Sequence, residues 1–307
     1  MDVGNGQVYI TGRNSNTMNK KIYGIAGLGL MGGSFAKAIR AKVLNVPHSA
    51  GKIFALDKNE TALQMARDEK IIDQYFTNDN ADKMLAQCDV VFICLYPKST
   101  IDFLIKNKNN FKKGSIVTDI SGVKTEIINN LHKFCCADFD YICAHPMAGS
   151  EKEGLDHARY DLFENRNYIL MPIESNKKDN LIFFKNLIIK FGIIRITETS
   201  PEDHDKKIAF TSQLCHVIAS ALVDSACDTQ ITTFGGGSFE DLTRIAMINA
   251  PLWTDLFLGN KNELTDHIKK FEDSLYKIKN LIVNNDQEQL CRLLQNVREK
   301  RIAMSNI

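Results

Sequence analysis

The sequence predicts an α/β protein in which a doubly wound, Rossmann-type parallel sheet is followed by an all-helical domain. Apolar, strand-like runs alternate with helical stretches through the first two thirds of the chain. The turn after the first of these runs is rich in glycine, and only helical periodicity continues beyond Pro201. Alternation of this kind implies right-handed crossovers between parallel strands.

Seven short apolar runs are the predicted strands. The first four are nearly continuous, as expected for strands buried on both faces of a parallel sheet. The runs are Lys21–Ala26, Ile53–Leu56, Val90–Leu95, Ser115–Ile120, Tyr141–Ala144, Tyr168–Met171 and Ile193–Ile196. Together they indicate a dinucleotide-binding domain over residues 20–199.

Residues 200–307 are predicted to form a helical domain. Ser200 and Pro201 have the chemistry of an N-cap and a first helical residue. Apolar residues keep three- and four-residue spacing from Leu264 to Ile282, and residues 284–286 interrupt that helix before the next one. Long amphipathic helices without a sheet must cover another surface, and a subunit interface is the simplest one.

Composition and charge argue against several functions. The 307 residues include 38 Lys and Arg against 37 Asp and Glu, so neither nucleic acid nor a membrane surface is expected as a partner. The eight cysteines form no C-x-x-C pair, which favours reduced, buried thiols in a cytoplasmic protein without a metal site. Residues 1–19 are polar and aperiodic, and we interpret them as a disordered or vector-derived extension rather than a signal peptide.

A glycine motif follows the first predicted strand. Gly27-Leu28-Gly29-Leu30-Met31-Gly32 matches G-x-G-x-x-G, in which the glycines permit a tight turn, close approach to a pyrophosphate and close helix packing. Asp57 ends the second strand, where a carboxylate can bind ribose hydroxyls and repel a 2′-phosphate. This pair predicts NAD as cofactor, although the neighbouring Lys58 leaves NADP open. A glycine turn without nucleotide is the alternative interpretation.

Two polar clusters follow later strands. Asp119–Lys124 (DISGVK) comes after the fourth strand and His145–Glu151 (HPMAGSE) after the fifth. Since ligands bind at the carboxyl ends of strands in open α/β sheets, both clusters are predicted at the nicotinamide end of the crevice. A lone histidine after a strand is more often a packed loop residue, but the proline after His145 and the small-residue turn favour a catalytic role.

The helical half adds further candidates. Ser212 and His216 are four residues apart on a largely apolar helix, where the histidine could equally belong to the core. Gly235-Gly236-Gly237 predicts a flexible loop that permits close approach. Asp241 and Arg244 follow at a spacing of three, so they could also form an ordinary surface ion pair.

The chain resembles the prephenate dehydrogenase family from about Lys20 to its end. The resemblance rests on GLGLMGGS (27–34), DISGVK, HPMAGSE, GGGSFEDLTRIA (235–246) and NAPLWTDLFLGN (249–260). It implies oxidative decarboxylation of prephenate to 4-hydroxyphenylpyruvate with NAD, in tyrosine biosynthesis, by a homodimer built through the helical domain. Gln213 and Cys215 stand where the family often has histidine and proline, so arogenate dehydrogenase stays an alternative.

The resemblance also implies residue roles. His145 would accept a hydrogen bond from the ring hydroxyl, and Ser121 would touch both His145 and the nicotinamide region. Arg244 would bind a substrate carboxylate, with Asp241 and Glu151 as its partners and gate, and His216 would also hold tyrosine, a candidate feedback inhibitor. The implied substrate-binding residues are Arg244, His216, Ser150, Glu151, Asp241 and Gly237, and the implied cofactor-binding residues are Gly27, Gly29, Leu30, Met31, Gly32, Asp57, Leu95 and Ser121.

Two other classes stay open. A β-hydroxyacid dehydrogenase would use a lysine in the helical half, such as Lys206 or Lys207, but would leave HPMAGSE unexplained. A nucleotide-sensing regulator would need a partner-binding module, and the sequence contains neither a helix-turn-helix nor a basic patch.

Overall fold

The computed structural model describes residues 17–135 and 138–305. Eight strands make up one sheet. They are β1 Ile22–Ala26, β2 Lys52–Leu56, β3 Gln74–Phe76, β4 Val90–Ile93, β5 Ile116–Asp119, β6 Asp140–Pro146, β7 Asn167–Met171 and β8 Arg195–Glu198. Their order across the sheet is β3-β2-β1-β4-β5-β6-β7-β8.

Helices connect the strands and make up the second half of the chain. Those of the first half are α1 Leu30–Ile39, α2 Glu60–Asp68, α3 Ala81–Leu85, α4 Pro97–Asn107, α5 Thr125–Asn129, α6 Leu131–Phe134 and α7 Lys178–Lys190. Those of the second half are α8 Pro201–Ile208, α9 Leu214–Asp224, α10 Gly237–Thr243, α11 Ala250–Gly259, α12 Lys261–Val283 and α13 Gln287–Ser305. The predicted fold class, a Rossmann-type sheet followed by helices, is confirmed.

The sheet is parallel from β3 to β6, but β7 runs antiparallel to β6 and parallel to β8. The prediction of a wholly parallel sheet is therefore wrong at this one pairing. The connection from Pro146 to Asn167 contains only a short 3₁₀ turn, Leu155–His157. Parallel neighbours usually need a helical crossover, which this connection lacks.

Some strand bounds also differ from the sequence prediction. The three-residue strand β3 was not predicted, because Gln74-Tyr75-Phe76 is too short to show a period. Strand β6 continues through His145 and Pro146, two residues beyond the predicted Ala144. His145 is therefore fixed by the sheet rather than by a loop.

Stacked aromatic rings lie on the face of the sheet that α1 covers. Phe35 from α1 stacks on Phe92 of β4 and on Phe163, with ring centroids 4.6 and 4.2 Å apart. All three are fully buried. Since truncation of a packed phenylalanine costs about 3–5 kcal/mol, this cluster holds the glycine-rich turn and α1 against the sheet.

Two residues before the predicted boundary at residue 20 already contact the fold. Met18 is buried, and its carbonyl accepts a hydrogen bond from the Tyr23 hydroxyl at 2.9 Å. The Asn19 carbonyl accepts one from the Gly51 N–H at 2.7 Å. The predicted extension thus has its last residues packed into the fold, while residues 1–16 lie outside the described residues.

The helical half begins as predicted at Ser200, whose hydroxyl accepts a hydrogen bond from the Asp203 N–H at 3.2 Å. The predicted break between α12 and α13 is confirmed, and Asp286 caps α13 through the Gln289 N–H at 3.0 Å. Both α12 and α13 expose apolar side chains, such as Leu275 on α12 and Leu294 on α13. None of the described helices is both long and apolar enough to span a membrane.

Cys88, Cys94, Cys143, Cys215, Cys227 and Cys291 are free thiols. Cys88 and Cys143 are buried as predicted, whereas Cys215, Cys227 and Cys291 are exposed. The prediction of buried thiols is thus wrong for the helical half.

Candidate active site

A cavity of about 780 Å³ lies between the carboxyl ends of the central strands and the helical half. Its size is in the range of small-molecule and cofactor sites. The sheet side contributes the glycine loop, Leu95, Ser121, His145 and residues 146–154 to its lining. The helical side contributes His216, Arg244, Asn249, Trp253 and several aliphatic side chains. Most of the predicted site residues therefore meet in one place.

The glycine loop has the geometry that a bound pyrophosphate requires. Gly27 has a φ of +92°, and a Cβ there would lie 2.5 Å from the Cys94 carbonyl oxygen. A Cβ on Gly32 would lie 1.8 Å from the Gly27 oxygen, so both positions need glycine. A Cβ on Gly29 would meet no atom of the described chain within 4 Å. The space above Gly29, at the N-terminus of α1, is open for a phosphate group.

Asp57 lies at the end of β2, next to this loop. Its Oδ2 accepts a hydrogen bond from the Leu28 N–H at 2.5 Å and its Oδ1 accepts one from the Asn59 N–H at 2.8 Å. A carboxylate has about four acceptor sites, so each oxygen can still accept a ribose hydroxyl. Asp57 thus both orders the loop and carries a negative charge beside it.

A buried ion pair supports the floor of the cavity. Lys124 Nζ lies 2.6 Å from Asp119 Oδ2, and both side chains are 0% exposed. The lysine also donates to the Ala144 carbonyl at 2.5 Å. Asp119 accepts further hydrogen bonds from the Tyr141 hydroxyl at 2.7 Å and the Ser121 N–H at 2.8 Å. These bonds compensate the cost of burying the charges and fix the loop that carries Ser121.

His145 lies at the end of β6, half-buried against that loop. A Cβ on Gly122 would lie 3.8 Å from its Nε2, and its Nδ1 lies 2.9 Å from Nε2 of His204. Burial is the main cause that holds the pKa of His145 well below its usual range, and positive charge on His204, when that ring is protonated, and on Lys124 lowers it further. The imidazole is therefore neutral at pH 7 and can accept a proton.

The hydroxyl oxygen of Ser121 is buried and has no hydrogen-bond partner among the described residues. Ser121 lines the cavity together with His145. A buried hydroxyl without a partner is costly unless a ligand satisfies it. Its presence here is an independent sign that a polar group of a ligand binds at this floor.

Charged side chains surround the entrance of the cavity, beside the helical half. Arg244 Nη1 lies 3.3 Å from Glu151 Oε2, and both side chains are partly exposed. Asn249 donates to the Tyr96 hydroxyl at 2.9 Å and to Glu153 Oε1 at 2.7 Å. Tyr96 belongs to the sheet half, so this contact joins the two halves beside the cavity.

Four predicted site residues are not among those that line the cavity, namely Gly27 and Asp57 at the glycine loop and two residues of α10. Asp241 and Gly237 are exposed on α10 and are not among the lining residues. Of the two expected partners of Arg244, Glu151 pairs with it in the described residues and Asp241 does not, because α10 ends at Thr243 and Arg244 begins a new turn that faces Glu151. Ser150, by contrast, lines the entrance as predicted.

The lysines that a β-hydroxyacid dehydrogenase would need lie elsewhere. Lys206 and Lys207 are exposed on α8 and do not line the cavity. Lys207 instead pairs with Asp203 at 2.6 Å. Neither lysine is therefore placed to act as the catalytic acid/base of a β-hydroxyacid dehydrogenase.

The sequence analysis missed His204 and Asp205, which are both buried behind His145. They belong to the polar run PEDHDKK, which was interpreted only as a helix start. One signal was present: His204 lies four residues before the buried Ile208, so it shares the inward face of α8.

Proteins of known function are similar to this chain in sequence and fold. Residues 35–195 match the family described as prephenate dehydrogenase, nucleotide-binding domain, and residues 200–296 match its dimerization domain. Together the two matches span most of the chain. The chain belongs to the prephenate dehydrogenase family. The family predicted from the sequence motifs is thereby confirmed, and the protein is an oxidoreductase.

Individual relatives of the family extend the comparison. Prephenate dehydrogenase of Bacillus subtilis is 28% identical over 90% of this chain and 74% of its own. Cyclohexadienyl dehydrogenase of Zymomonas mobilis is 28% identical over 91% of this chain and 94% of its own. Among solved structures, prephenate dehydrogenase from A. aeolicus in complex with hydroxyphenyl propionate and NAD+ is 31% identical, with a TM-score of 0.82 over 92% of this chain and 98% of that one.

Proposed function

We propose that this family member catalyses the oxidative decarboxylation of prephenate to 4-hydroxyphenylpyruvate, a step of tyrosine biosynthesis, and that its cofactor is NAD. The observation that carries the proposal is a neutral His145 beside the unpaired Ser121 hydroxyl, at the floor of a cavity that also reaches the glycine loop and Arg244. This arrangement joins a proton acceptor, a cofactor site and a carboxylate site.

The chemistry of the reaction fits these groups. Bound NAD supplies the hydride acceptor for the ring carbon that bears the hydroxyl. His145 accepts the hydroxyl proton, and the ring carboxylate leaves as carbon dioxide while the ring becomes aromatic. Ser121 donates or accepts a hydrogen bond at the same oxygen and so holds it in place.

Arg244 acts on the side-chain carboxylate of the substrate. Its guanidinium is at the entrance, beside Glu151, rather than at the floor with His145. An arginine bound firmly to the ring carboxylate would stabilise the ground state and slow the loss of carbon dioxide. Binding at the entrance avoids this cost and still orients the ring.

Arogenate is the second candidate substrate, because Glu151 offers a carboxylate for the ammonium group that arogenate carries and prephenate lacks. The same entrance can therefore bind either side chain. Initial rates of NAD reduction with prephenate, with arogenate and with a panel of 3-hydroxy acids decide between them. We expect turnover with prephenate and none with the 3-hydroxy acids, and turnover confined to that panel would refute the proposal.

We further propose that the protein is a cytoplasmic homodimer. Each chain would consist of two domains with a boundary near residue 199. The apolar side chains exposed on α12 and α13, in the part that matches the dimerization domain, support the dimer. The free thiols of Cys88, Cys94, Cys143, Cys215, Cys227 and Cys291 support a reducing compartment. Light scattering after gel filtration should give twice the mass of one chain, and a monomer at micromolar concentration would contradict the assembly.

A further inference from the structure

We infer that His204 and Asp205 form a relay that fixes the tautomer of His145, so that its Nε2 lone pair is directed at the reacting hydroxyl. The inference rests on the proposed function, in which His145 is the base. His204 and Asp205 are positioning residues in this scheme, because they act through His145 and do not line the cavity.

The three side chains form one continuous chain of hydrogen bonds. His145 Nδ1 lies 2.9 Å from His204 Nε2, and His204 Nδ1 lies 2.7 Å from Asp205 Oδ1. His204 is 1% exposed and Asp205 is 2% exposed. Water therefore has little access to the relay, and each polar atom must be satisfied within the protein.

The proton positions follow from the partners of Asp205. Its two oxygens accept the backbone N–H groups of Lys124, at 2.9 Å to Oδ1, and Thr125, at 2.8 Å to Oδ2. An ionised carboxylate can only accept hydrogen bonds. Although burial opposes ionisation, the hydrogen bonds from His204 and Thr125 hold the pKa of Asp205 below its ordinary value. Asp205 is therefore ionised at neutral pH.

The tautomer of each histidine is then determined. His204 must donate its Nδ1–H to Asp205, which leaves a lone pair on its Nε2 when the ring is neutral. That lone pair must accept the Nδ1–H of His145 across the 2.9 Å contact. The proton of His145 is thus on Nδ1, and Nε2 keeps its lone pair toward Gly122 and the cavity.

The surrounding charges favour this neutral resting state. Lys124 and Asp119 face His145 from the floor, Asp205 lies behind His204, and the entrance carries Arg244 and Glu151 beside His216. The Lys124 charge opposes an additional proton on His145. When His145 takes the hydroxyl proton, its Nδ1–H still donates to His204, and the Asp205 charge stabilises the new cation through that ring.

The relay is anchored in the helical half, although His145 belongs to the sheet. The Asp205 carbonyl accepts a hydrogen bond from Asn260 Nδ2 at 2.8 Å, and the same amide group donates to Gln213 at 2.8 Å. The state of the base therefore depends on the packing of α8 against β6. Gln213, which is itself buried, takes part in this anchor.

Two substitutions of His204 separate a relay from simple packing. His204→Gln keeps an acceptor of similar reach for His145 Nδ1–H, whereas His204→Leu keeps only volume. We expect kcat to fall roughly 10²–10⁴-fold in the leucine variant and less than about 10-fold in the glutamine variant, with the Kd for NAD unchanged in both. His132→Leu, at an exposed histidine on α6, is the matched control and should keep full activity.

A direct readout of the tautomer completes the test. Nitrogen NMR of the ¹⁵N-histidine-labelled protein should show Nδ1–H and an unprotonated Nε2 for both His145 and His204 near pH 7. This measurement uses the intact protein, so it holds even if the leucine variant fails to fold. An Nε2–H proton on His145 would overturn the inference, and so would normal kcat in a folded His204→Leu protein. If the tautomer is as expected but His145→Asn keeps its turnover, the base assignment fails while the relay stands.

Discussion

The imidazole of His216 stacks on the indole of Trp253, with ring centroids 3.6 Å apart and the planes inclined by 29°. His216 Nδ1 lies 2.9 Å from the Ser212 carbonyl oxygen, which can only accept a hydrogen bond. Nδ1 therefore carries the proton and Nε2 is left as an acceptor for a ligand. Burial, and to a lesser extent Arg244, lowers the pKa of His216, so the ring is neutral at pH 7.

Tyrosine should therefore inhibit by occupying the substrate cavity. Because His145, His216 and Arg244 line one cavity, we expect the tyrosine hydroxyl to bind at His145, its carboxylate at Arg244 and its ammonium group at the neutral His216. We expect added tyrosine to raise the apparent KM for prephenate and leave kcat unchanged. Steady-state rates over a grid of both concentrations measure this.

Phenylalanine is the matched control for that experiment. It lacks the hydroxyl, so its inhibition constant should be roughly 2- to 10-fold higher, as expected for one lost hydrogen bond. A fall in kcat with constant KM would place tyrosine at another site.

Arg244 should act mainly in binding. Arg244→Gln removes a charge-assisted contact of roughly 1.5–3 kcal/mol, and we expect the KM for prephenate to rise roughly 10- to 150-fold while kcat falls much less. The physical reason is that the side-chain carboxylate keeps the same contact in the ground state and the transition state. Initial rates against prephenate concentration separate the two parameters.

Two further variants test that assignment. Arg159→Gln removes an exposed arginine that pairs with Asp161 at 2.9 Å outside the cavity, and its KM should be unchanged. Glu151→Gln removes the carboxylate that competes with the substrate for Arg244, so its KM for prephenate should fall, by at most about fivefold for an exposed pair. If Arg244→Gln leaves KM unchanged, the arginine has no contact with the substrate.

Cofactor preference should depend on Asp57. Its charge lies beside the glycine loop and opposes a 2′-phosphate, so kcat/KM should be at least about tenfold higher with NAD than with NADP. Asp57→Ser should lower the ratio of kcat/KM with NAD to kcat/KM with NADP, chiefly because the KM for NAD rises. Asp82→Ser, at an exposed aspartate on α3, should leave it unchanged. Equal kcat/KM for the two cofactors in the unaltered protein would contradict the assignment.

Much of the fold could be predicted because its signals are local. The apolar runs of β1, β2, β4 and β5 and the glycine loop are readable within a few residues of sequence. The direction of β7 is not a local property, since it depends on which neighbour the strand pairs with. The three-residue β3 has no period to detect and forms because its partner β2 offers a free edge.

The same difference between local and non-local signals applies to the site residues. His145 and Ser121 could be found because each follows a strand at the carboxyl edge of the sheet. The contact of His204 with His145 could not be predicted, because it joins residues 59 positions apart, and the four-residue spacing of His204 from Ile208 indicates only an inward-facing side chain. Of the two partners expected for Arg244, Glu151 is 93 positions away and was expected only from the family resemblance, whereas sequence spacing by itself favours the nearby Asp241.

The base itself gives the most decisive prediction. Burial above all, and then positive charge on His204, when that ring is protonated, and on Lys124, lower the pKa of His145, so the neutral form persists into acidic solution. The acidic limb of kcat/KM, which reports the free enzyme, should therefore have its midpoint below the ordinary histidine value of about 6.5. Rates measured from pH 4.5 to 8, with stability checked at each pH, locate that midpoint.

His145→Asn should remove both the base and this limb. Asparagine keeps a hydrogen-bonding group of similar reach, so the cavity is preserved, but it cannot take the hydroxyl proton. We expect kcat to fall roughly 10²–10⁴-fold while the Kd for NAD changes little, because the glycine loop and Asp57 lie at the other end of the cofactor site. Loss of the limb together with unchanged NAD binding distinguishes a missing base from a damaged fold. Near-normal turnover with the same acidic limb would make His145 a structural residue, and the neutral His216 would be the next base to test.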